Sequence, residues 1–437
     1  MNMPLSAHAT RHPVKSLIAF FVLWKALLLF IACCSPGQGY DTSTNLILPP
    51  YGTEKFNAFP LPLQLIAAKV TRWDAIYFVR ASNRGYTFEQ EWAFGWGFTR
   101  LIAFCTAGLE KAGLLRTDQL QALLATLIAH ISHLISVILL FNLTRAMFPG
   151  SNAGFTFVAA ALHIVSPAGM FLSAPYAESS CAMLSFAGCL VFTKSFASTA
   201  QTTVKHDLLI VISGVIFGIA STFRSNGILS GLLLLEEAFR VLLSLRHGIQ
   251  LATIRRLAAA GLGGLSTAAG FLLPQYIAYT EYCQEPNMLE LRPWCKKPFP
   301  SIYTFVQEYY WNVGLFRYWT LPNLPLFLLA TPMSVVMILS GLWGIKRHGS
   351  DKLTSISGVP NVLRNMAVSQ LLLTVITLTT AHVQIITRIS SAYPVWMWYA
   401  TWTMQKGNGL APRSFVRFLV MYAIIQGGLF ASFLPPA

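Results

Sequence analysis

Acidic side chains are scarce in this sequence: 16 Asp and Glu stand against 31 Lys and Arg in 437 residues. Charged residues of both signs make up only 11%, where a soluble domain carries about 25%. That excludes an ordinary soluble fold. There is no Walker A loop and no GxGxxG followed by an acid, so neither a nucleotide-phosphate loop nor a dinucleotide cradle is expected. The 7 cysteines form no CxxC and no Cys/His cluster, which removes the usual zinc arrangements. Internal repeats, low-complexity segments and a persuasive signal-peptide cleavage site are missing as well.

What is present is apolar. Hydrophobic residues are 54% of the chain, and mean hydropathy is +0.55. Runs near the length that crosses a bilayer recur at 16–34, 121–143, 153–172, 177–197, 207–222, 226–244, 257–280, 323–345, 363–383, 391–404 and 415–433. They predict an all-α polytopic membrane protein with about eleven transmembrane helices, forming one integral membrane unit over 1–437. A further apolar stretch at 92–109 contains Gly95, Gly97 and Arg100 and reads as interfacial or re-entrant.

With the N-terminus in the cytosol and alternating spans, the cytosolic side collects Arg145, Lys194, Lys205, Arg240, Arg246, Arg255 and Arg256. It also collects Lys346, Arg347, Lys352, Arg364, Lys406, Arg413 and Arg417, while the short turns opposite hold only Arg224 and Arg388. This is the positive-inside bias. The net charge of +15 therefore marks topology and not a nucleic-acid partner. Two long non-cytosolic loops follow, 35–120 with interfacial helices and 281–322. Asp74, Glu89, Glu91, Glu178, Glu281, Glu285, Glu290 and Glu308 all fall on that side, so chemistry is expected to face the lumen or exterior. Cys283 and Cys295 share the second loop, where an oxidising compartment predicts a disulfide.

The stretch RWDAIYFVRASNRGY, residues 72–86, places an acid in this apolar setting. A single helix is predicted over 63–84, with Pro62 before it and Asn83 and Gly85 to stop it. Ile66, Val70, Trp73 and Tyr77 form its apolar stripe. Asp74 lies beside that stripe with no basic residue three or four positions away. It reads either as a solvated interfacial acid or as a general base near water, with Trp73 and Tyr77 offering faces for a sugar. Glu89 and Glu91 compete for the base role. Glu178 opens a predicted span, as a helix N-terminal acid or a substrate ligand. Arg224 and Arg388 either snorkel to the interface or fork a phosphate. Tyr309, Tyr310, Trp311, Tyr318 and Trp319 suit an interfacial belt, and among them Asn312 and Arg317 are candidate substrate contacts. His163, inside an apolar run, reads as hydrogen-bonded packing.

RWDAIYFVRASNRGYTFEQEWAFG resembles the first lumenal loop of the GPI mannosyltransferase II (PIG-V) family. SPAGMFLSAPYAES (166–179), FRSNG (223–227), RPWCKKPFPSIYTFVQEYYWNVGLFRYW (292–319) and RISSAYPVWMWY (388–399) continue the resemblance in the family's order. After Glu91 the chain departs, reading AFGWGFTRLI where the family more often has prolines. The resemblance implies a GT-C type glycosyltransferase of the endoplasmic reticulum membrane. It would add the second mannose, through an α-1,6 link, from dolichol-phosphate mannose to the GPI anchor precursor. It also implies a catalytic acid in the first lumenal loop, carried here by Asp74. A lipid monophosphate leaves without strong need of a divalent ion, and no DxD is present, so neither metal nor cofactor is expected. The expected partners are the donor lipid and the GPI precursor, with an accessory membrane subunit left open. The alternatives are another dolichol-phosphate-sugar transferase and a non-catalytic transporter or scaffold.

Overall fold

The structure is a computed structural model describing residues 11–36, 42–48, 59–196, 203–284, 292–346, 359–407 and 411–432. Glu285, Glu290, Arg347 and Lys352, placed on loops by the sequence, lie outside the described residues. Among the described residues all regular structure is helical. The chain runs through α1 (Pro13–Cys34), α2 (Leu61–Val70), α3 (Ala75–Arg84), α4 (Trp96–Lys111), α5 (Asp118–Met147), α6 (Ala153–Ile164), α7 (Glu178–Lys194) and α8 (Val204–Phe223). It continues through α9 (Gly231–Ser244), α10 (Leu251–Cys283), α11 (Ile302–Trp311), α12 (Leu324–Lys346), α13 (Val359–Thr380), α14 (Ile386–Ile389), α15 (Val395–Lys406) and α16 (Ala411–Ser432).

Among the described residues, 7 helices are long and apolar enough to cross a membrane. They correspond to α1, α5, α8, α10, α12, α13 and α16. The other four expected spans contain shorter helices: α6 has 12 residues, α7 has 17, α9 has 14 and α15 has 12. Three of these spans are interrupted where the sequence reading had them continuous. The run 153–172 breaks after Ile164 at Ser166-Pro167, because proline supplies no N–H to the next turn. The run 226–244 begins as a 3₁₀ turn, Ser225–Ser230, and that at 391–404 becomes α-helical only after Pro394. Irregular backbone is tolerated at membrane depth only inside protein. Accordingly, every residue from 162 to 182 is buried.

Small residues set a close helix contact. A Cβ on Gly214 would collide with the Gly263 backbone, and one on Gly270 with that of Gly218, so α8 and α10 cross with their backbones touching. At the basic end of the bundle these helices are tied by ions. Buried Glu237 on α9 accepts Arg256 Nε at 2.7 Å and Arg240 at 2.8 Å, and Asp207 on α8 pairs with Arg255. This accounts for Glu237, an acid the sequence places well inside an apolar run. Cys283 and Cys295 are disulfide-bonded, as their shared loop predicts, and tie the start of the 292–311 region to the end of α10.

Candidate active site

The predicted helix over 63–84 is broken at the residue in question. α2 ends at Val70 and α3 starts at Ala75, with Asp74 at its N-cap position. Trp73 takes φ +55°, a left-handed conformation costly for a bulky side chain. Long-range partners hold the break. Thr44 Oγ1 donates to the Thr71 carbonyl at 2.7 Å, and Tyr176 OH donates to the Arg72 carbonyl at 3.0 Å. The Trp73 indole N–H is buried without a hydrogen-bond partner. Strain and an unmet donor thus coincide with the candidate base, turning its carboxylate out of the helix and into the bundle.

There Asp74 finds a partner far away in sequence. Arg388 on α14 donates from Nη1 to Asp74 Oδ2 at 3.2 Å. The same guanidinium donates from Nε and Nη2 to Glu178 Oε1 at 2.9 and 2.8 Å, and Arg224 Nη1 donates to that oxygen at 2.7 Å. Two arginines therefore share one carboxylate oxygen. The side chains of Glu178 and Arg388 are 1% and 9% exposed, those of Arg224 and Asp74 18% and 37%. The two ends that meet solvent are the acid Asp74 and the cation Arg224, with a buried pair between them. Burial alone would lower the Arg388 pKa; Glu178 and then Asp74 raise it above the ordinary value, so the group stays charged. Snorkelling does not describe Arg388. Its guanidinium lies 4.0 Å from the Phe171 ring centroid and 5.1 Å from that of Tyr176.

The buried loop 166–177 is the hub of this arrangement. It supplies Phe171 and Tyr176 and leads into Glu178. It is clasped by Lys25, the ionisable residue inside the first apolar run, which donates from Nζ to the Leu172 carbonyl at 2.7 Å and to Ser173 Oγ at 2.8 Å. Ser179 Oγ donates to the same carbonyl at 3.0 Å, and Gln426 Oε1 on α16 accepts the Met170 N–H at 3.0 Å. An ionisable side chain inside an apolar span is a functional signal on physical grounds, and the sequence shows that signal at Lys25 without showing what it holds.

A family model described as mannosyltransferase (PIG-V) matches residues 14–437. The chain belongs to that family. It is 44% identical to GPI mannosyltransferase 2 of Chaetomium globosum, over 98% of this chain and 97% of the relative. It is 41% identical to the protein of that name from Gibberella zeae (97% and 98% covered) and 39% identical to that from Aspergillus fumigatus (98% and 94%). In structure it is similar to the oligosaccharyltransferase of Archaeoglobus fulgidus tethered with an acceptor peptide: TM-score 0.52, 12% identity, 99% of this chain and 56% of that one. A second structure of the archaeal protein, with Zn and sulfate, gives 0.50 at 14% identity, covering 96% and 53%. The chain thus spans about half the length of these solved structures. At such identity the likeness is one of fold, and the fold is of the GT-C type that the family resemblance implies.

The remaining predicted site residues separate into two groups. Glu91 is buried, accepting Arg84 Nη2 at 2.6 Å and the Thr87 N–H at 2.8 Å, and so fixes the turn after α3. Glu89, also buried, accepts the Trp294 indole N–H at 2.9 Å and Tyr310 OH at 3.3 Å, joining the first loop region to the second. Tyr77 has one face stacked on Phe94 at 4.5 Å. Asn312 and Arg317 stand apart from the Asp74 assembly. Asn312 caps α11 in a left-handed conformation, and Arg317 pairs with Glu308 at 2.9 Å. His163 is packed as predicted, bonded to Ser136 Oγ at 2.7 Å. Among the described residues no three His, Cys, Asp or Glu side chains converge as a metal site.

Proposed function

We propose that this protein transfers mannose from dolichol-phosphate mannose to the GPI precursor, adding the second mannose through an α-1,6 link, on the lumenal side of the endoplasmic reticulum membrane. Family membership and relatives named GPI mannosyltransferase 2 support the reaction class. The observation that carries the reading to residues is the meeting of Asp74, Arg388, Glu178 and Arg224 from four separate segments.

In this reading Asp74 takes the proton of the acceptor hydroxyl as its oxygen attacks the anomeric carbon of the donor mannose. The carbon–oxygen bond to the phosphate breaks on the opposite face, and its electron pair leaves with dolichyl phosphate, so the anomeric centre inverts. Arg224, the more exposed guanidinium, meets the growing charge on the phosphate. Glu178 is a positioning residue that orients both guanidiniums. Arg388 holds the Asp74 carboxylate in place. Trp73 and Tyr77 border the sugar. Glu89 and Glu91 are assigned to structure rather than proton transfer, because both carboxylates are buried and bonded to neighbouring donors, whereas Asp74 is the more exposed acid.

The test is Asp74→Asn in a purified assay with dolichol-phosphate mannose and a one-mannose acceptor. Transfer should vanish while the protein stays folded and membrane-inserted, and turnover like that of the wild type would reject Asp74 as the base. Cells lacking the protein should accumulate a precursor carrying one mannose.

A further inference from the structure

Polar groups gather a second time between α11, the turn after it and the end of α13. They line a cleft of about 580 Å³, within the roughly 300–1,000 Å³ of small-molecule sites. Tyr303, Thr304, Gln307, Glu308, Arg317 and Thr380 supply its polar lining. The turn is preset: Asn312 and Phe316 take φ +51° and +57°. The Phe316 N–H donates to the Thr379 carbonyl at 2.6 Å, and His382 Nε2 bonds the Trp311 carbonyl at 3.2 Å. Strained residues held this firmly are characteristic of ligand clamps. At Gly314 a Cβ would press on the Arg317 side chain at 2.9 Å, so glycine leaves the guanidinium room beside the turn.

Charge and exposure describe the ligand. Arg317 and Lys297 stand 2.9 and 3.8 Å from the single carboxylate of Glu308, leaving one surplus positive charge at the cleft. Beside it Leu315, Phe316, Trp319 and Leu321 are 67%, 53%, 57% and 87% exposed, an apolar and aromatic rim of the kind that meets lipid at the membrane interface. A polar, net-cationic cleft with a lipid-facing rim suits an anionic head group on a membrane-borne chain. The cleft is also tied to the segment that carries Arg224. Tyr303 lines the cleft, and its hydroxyl accepts from Ser225 Oγ at 2.9 Å, one residue beyond Arg224.

We propose that this cleft seats the phosphoinositol head of the acceptor glycolipid, with Arg317 on its phosphate, while the accepting sugar at the far end of the glycan reaches Asp74. The proposal rests on the reaction assigned above. On binding, Arg317 exchanges Glu308 for the phosphate, and Lys297 remains beside Glu308. Arginine's fork suits a phosphate oxygen pair. The Tyr303 hydroxyl, which accepts from Ser225, keeps its proton to donate to an inositol hydroxyl, and the Gln307 amide lies in the same lining.

The donor is also a phospholipid, so the experiment separates the two. Purified full-length protein and the variants Arg317→Gln, Gln307→Ala and the cleft-filling Thr380→Trp are assayed on three arms. These are the full phosphoinositol acceptor, a soluble oligosaccharide ending in the same mannose but lacking phosphoinositol, and a titration of dolichol-phosphate mannose. KM for the full acceptor should rise roughly tenfold to a hundredfold, the range of a lost charge-assisted contact. The variants should also lose the wild-type preference for the full over the truncated acceptor. A rise in donor KM instead would assign the cleft to the donor and overturn the proposal, as would an unchanged acceptor KM in all three variants. Wild-type protein that transfers no mannose at all would defeat the assigned reaction, a separate result.

Discussion

Glu178→Gln tests the logic of the active site most directly. The substitution keeps the side chain's shape and one acceptor oxygen but removes the charge that two guanidiniums share. That oxygen receives donors at 2.7, 2.9 and 2.8 Å. Burial decides the size of the effect. An exposed ion pair contributes at most about 1 kcal/mol, but neutralising one partner of a buried pair costs about 3–5 kcal/mol because the remaining cation stays out of water. Glu178 and Arg388 are 1% and 9% exposed, so the second regime applies. Arg224 can relax toward solvent. Arg388 cannot, and the other carboxylate it touches is Asp74. Losing Glu178 therefore draws Arg388 onto Asp74, occupying the oxygen proposed to accept the proton. We expect kcat to fall roughly a hundred- to a thousandfold, the range seen when one preorganised electrostatic partner is lost. Acceptor KM should change little, and the midpoint of thermal inactivation in detergent should drop. Combination with Arg224→Gln should be non-additive by roughly 0.5–3 kcal/mol, because the two side chains share one bond. Wild-type turnover together with an unchanged midpoint in Glu178→Gln would refute the reasoning.

Arg388→Lys should be nearly as damaging as Arg388→Ala in kcat, because an ammonium cannot bridge Asp74 and Glu178 while stacking on Phe171 and Tyr176; Arg224→Lys, with a single hydrogen bond to Glu178 and more exposure, should keep more activity, and equal tolerance at the two positions would contradict this ranking. Lys25→Met removes a buried amine while Ser179 continues to satisfy the Leu172 carbonyl. Its thermal midpoint should hold or rise as kcat falls, whereas wild-type kcat would make the clasp incidental. Mass-tag labelling of denatured protein should count the 5 free cysteines before reduction and all 7 after it. Seven tags without reduction would remove the Cys283–Cys295 bond.

Much of this architecture was legible because it is written in local properties. A run of apolar residues near bilayer length forms a helix wherever it stands, since lipid leaves the backbone no other partners. The basic residues between runs record orientation one loop at a time. Cys283 and Cys295 were predictable for the same reason, being 12 positions apart in one loop. The breaks were harder to see. Pro167 and Pro394 are visible punctuation, yet hydropathy averages straight across them. At Thr71–Asp74 no proline or glycine marks the break; Tyr176 and Thr44 hold it by bonding the carbonyls that the broken helix leaves unmet. A helix prediction over 63–84 fails there because the competing hydrogen bonds come from elsewhere in the chain.

The sequence by itself determined that the chain is a membrane-embedded helical bundle of this family, and it singled out Asp74, Glu178, Arg224 and Arg388 as polar residues out of place. Only the tertiary structure decided that they belong together. Asp74 and Arg388 are 314 positions apart, and Glu178 and Arg388 are 210 apart. No periodicity reaches that far. Whether Glu178 was a helix-end acid and Arg388 an interfacial anchor, or both were parts of one site, depended on which helix ends pack side by side. That choice is made by the buried loop 166–177 and the side chains that clasp it, whose contacts join segments with no local relation in the sequence.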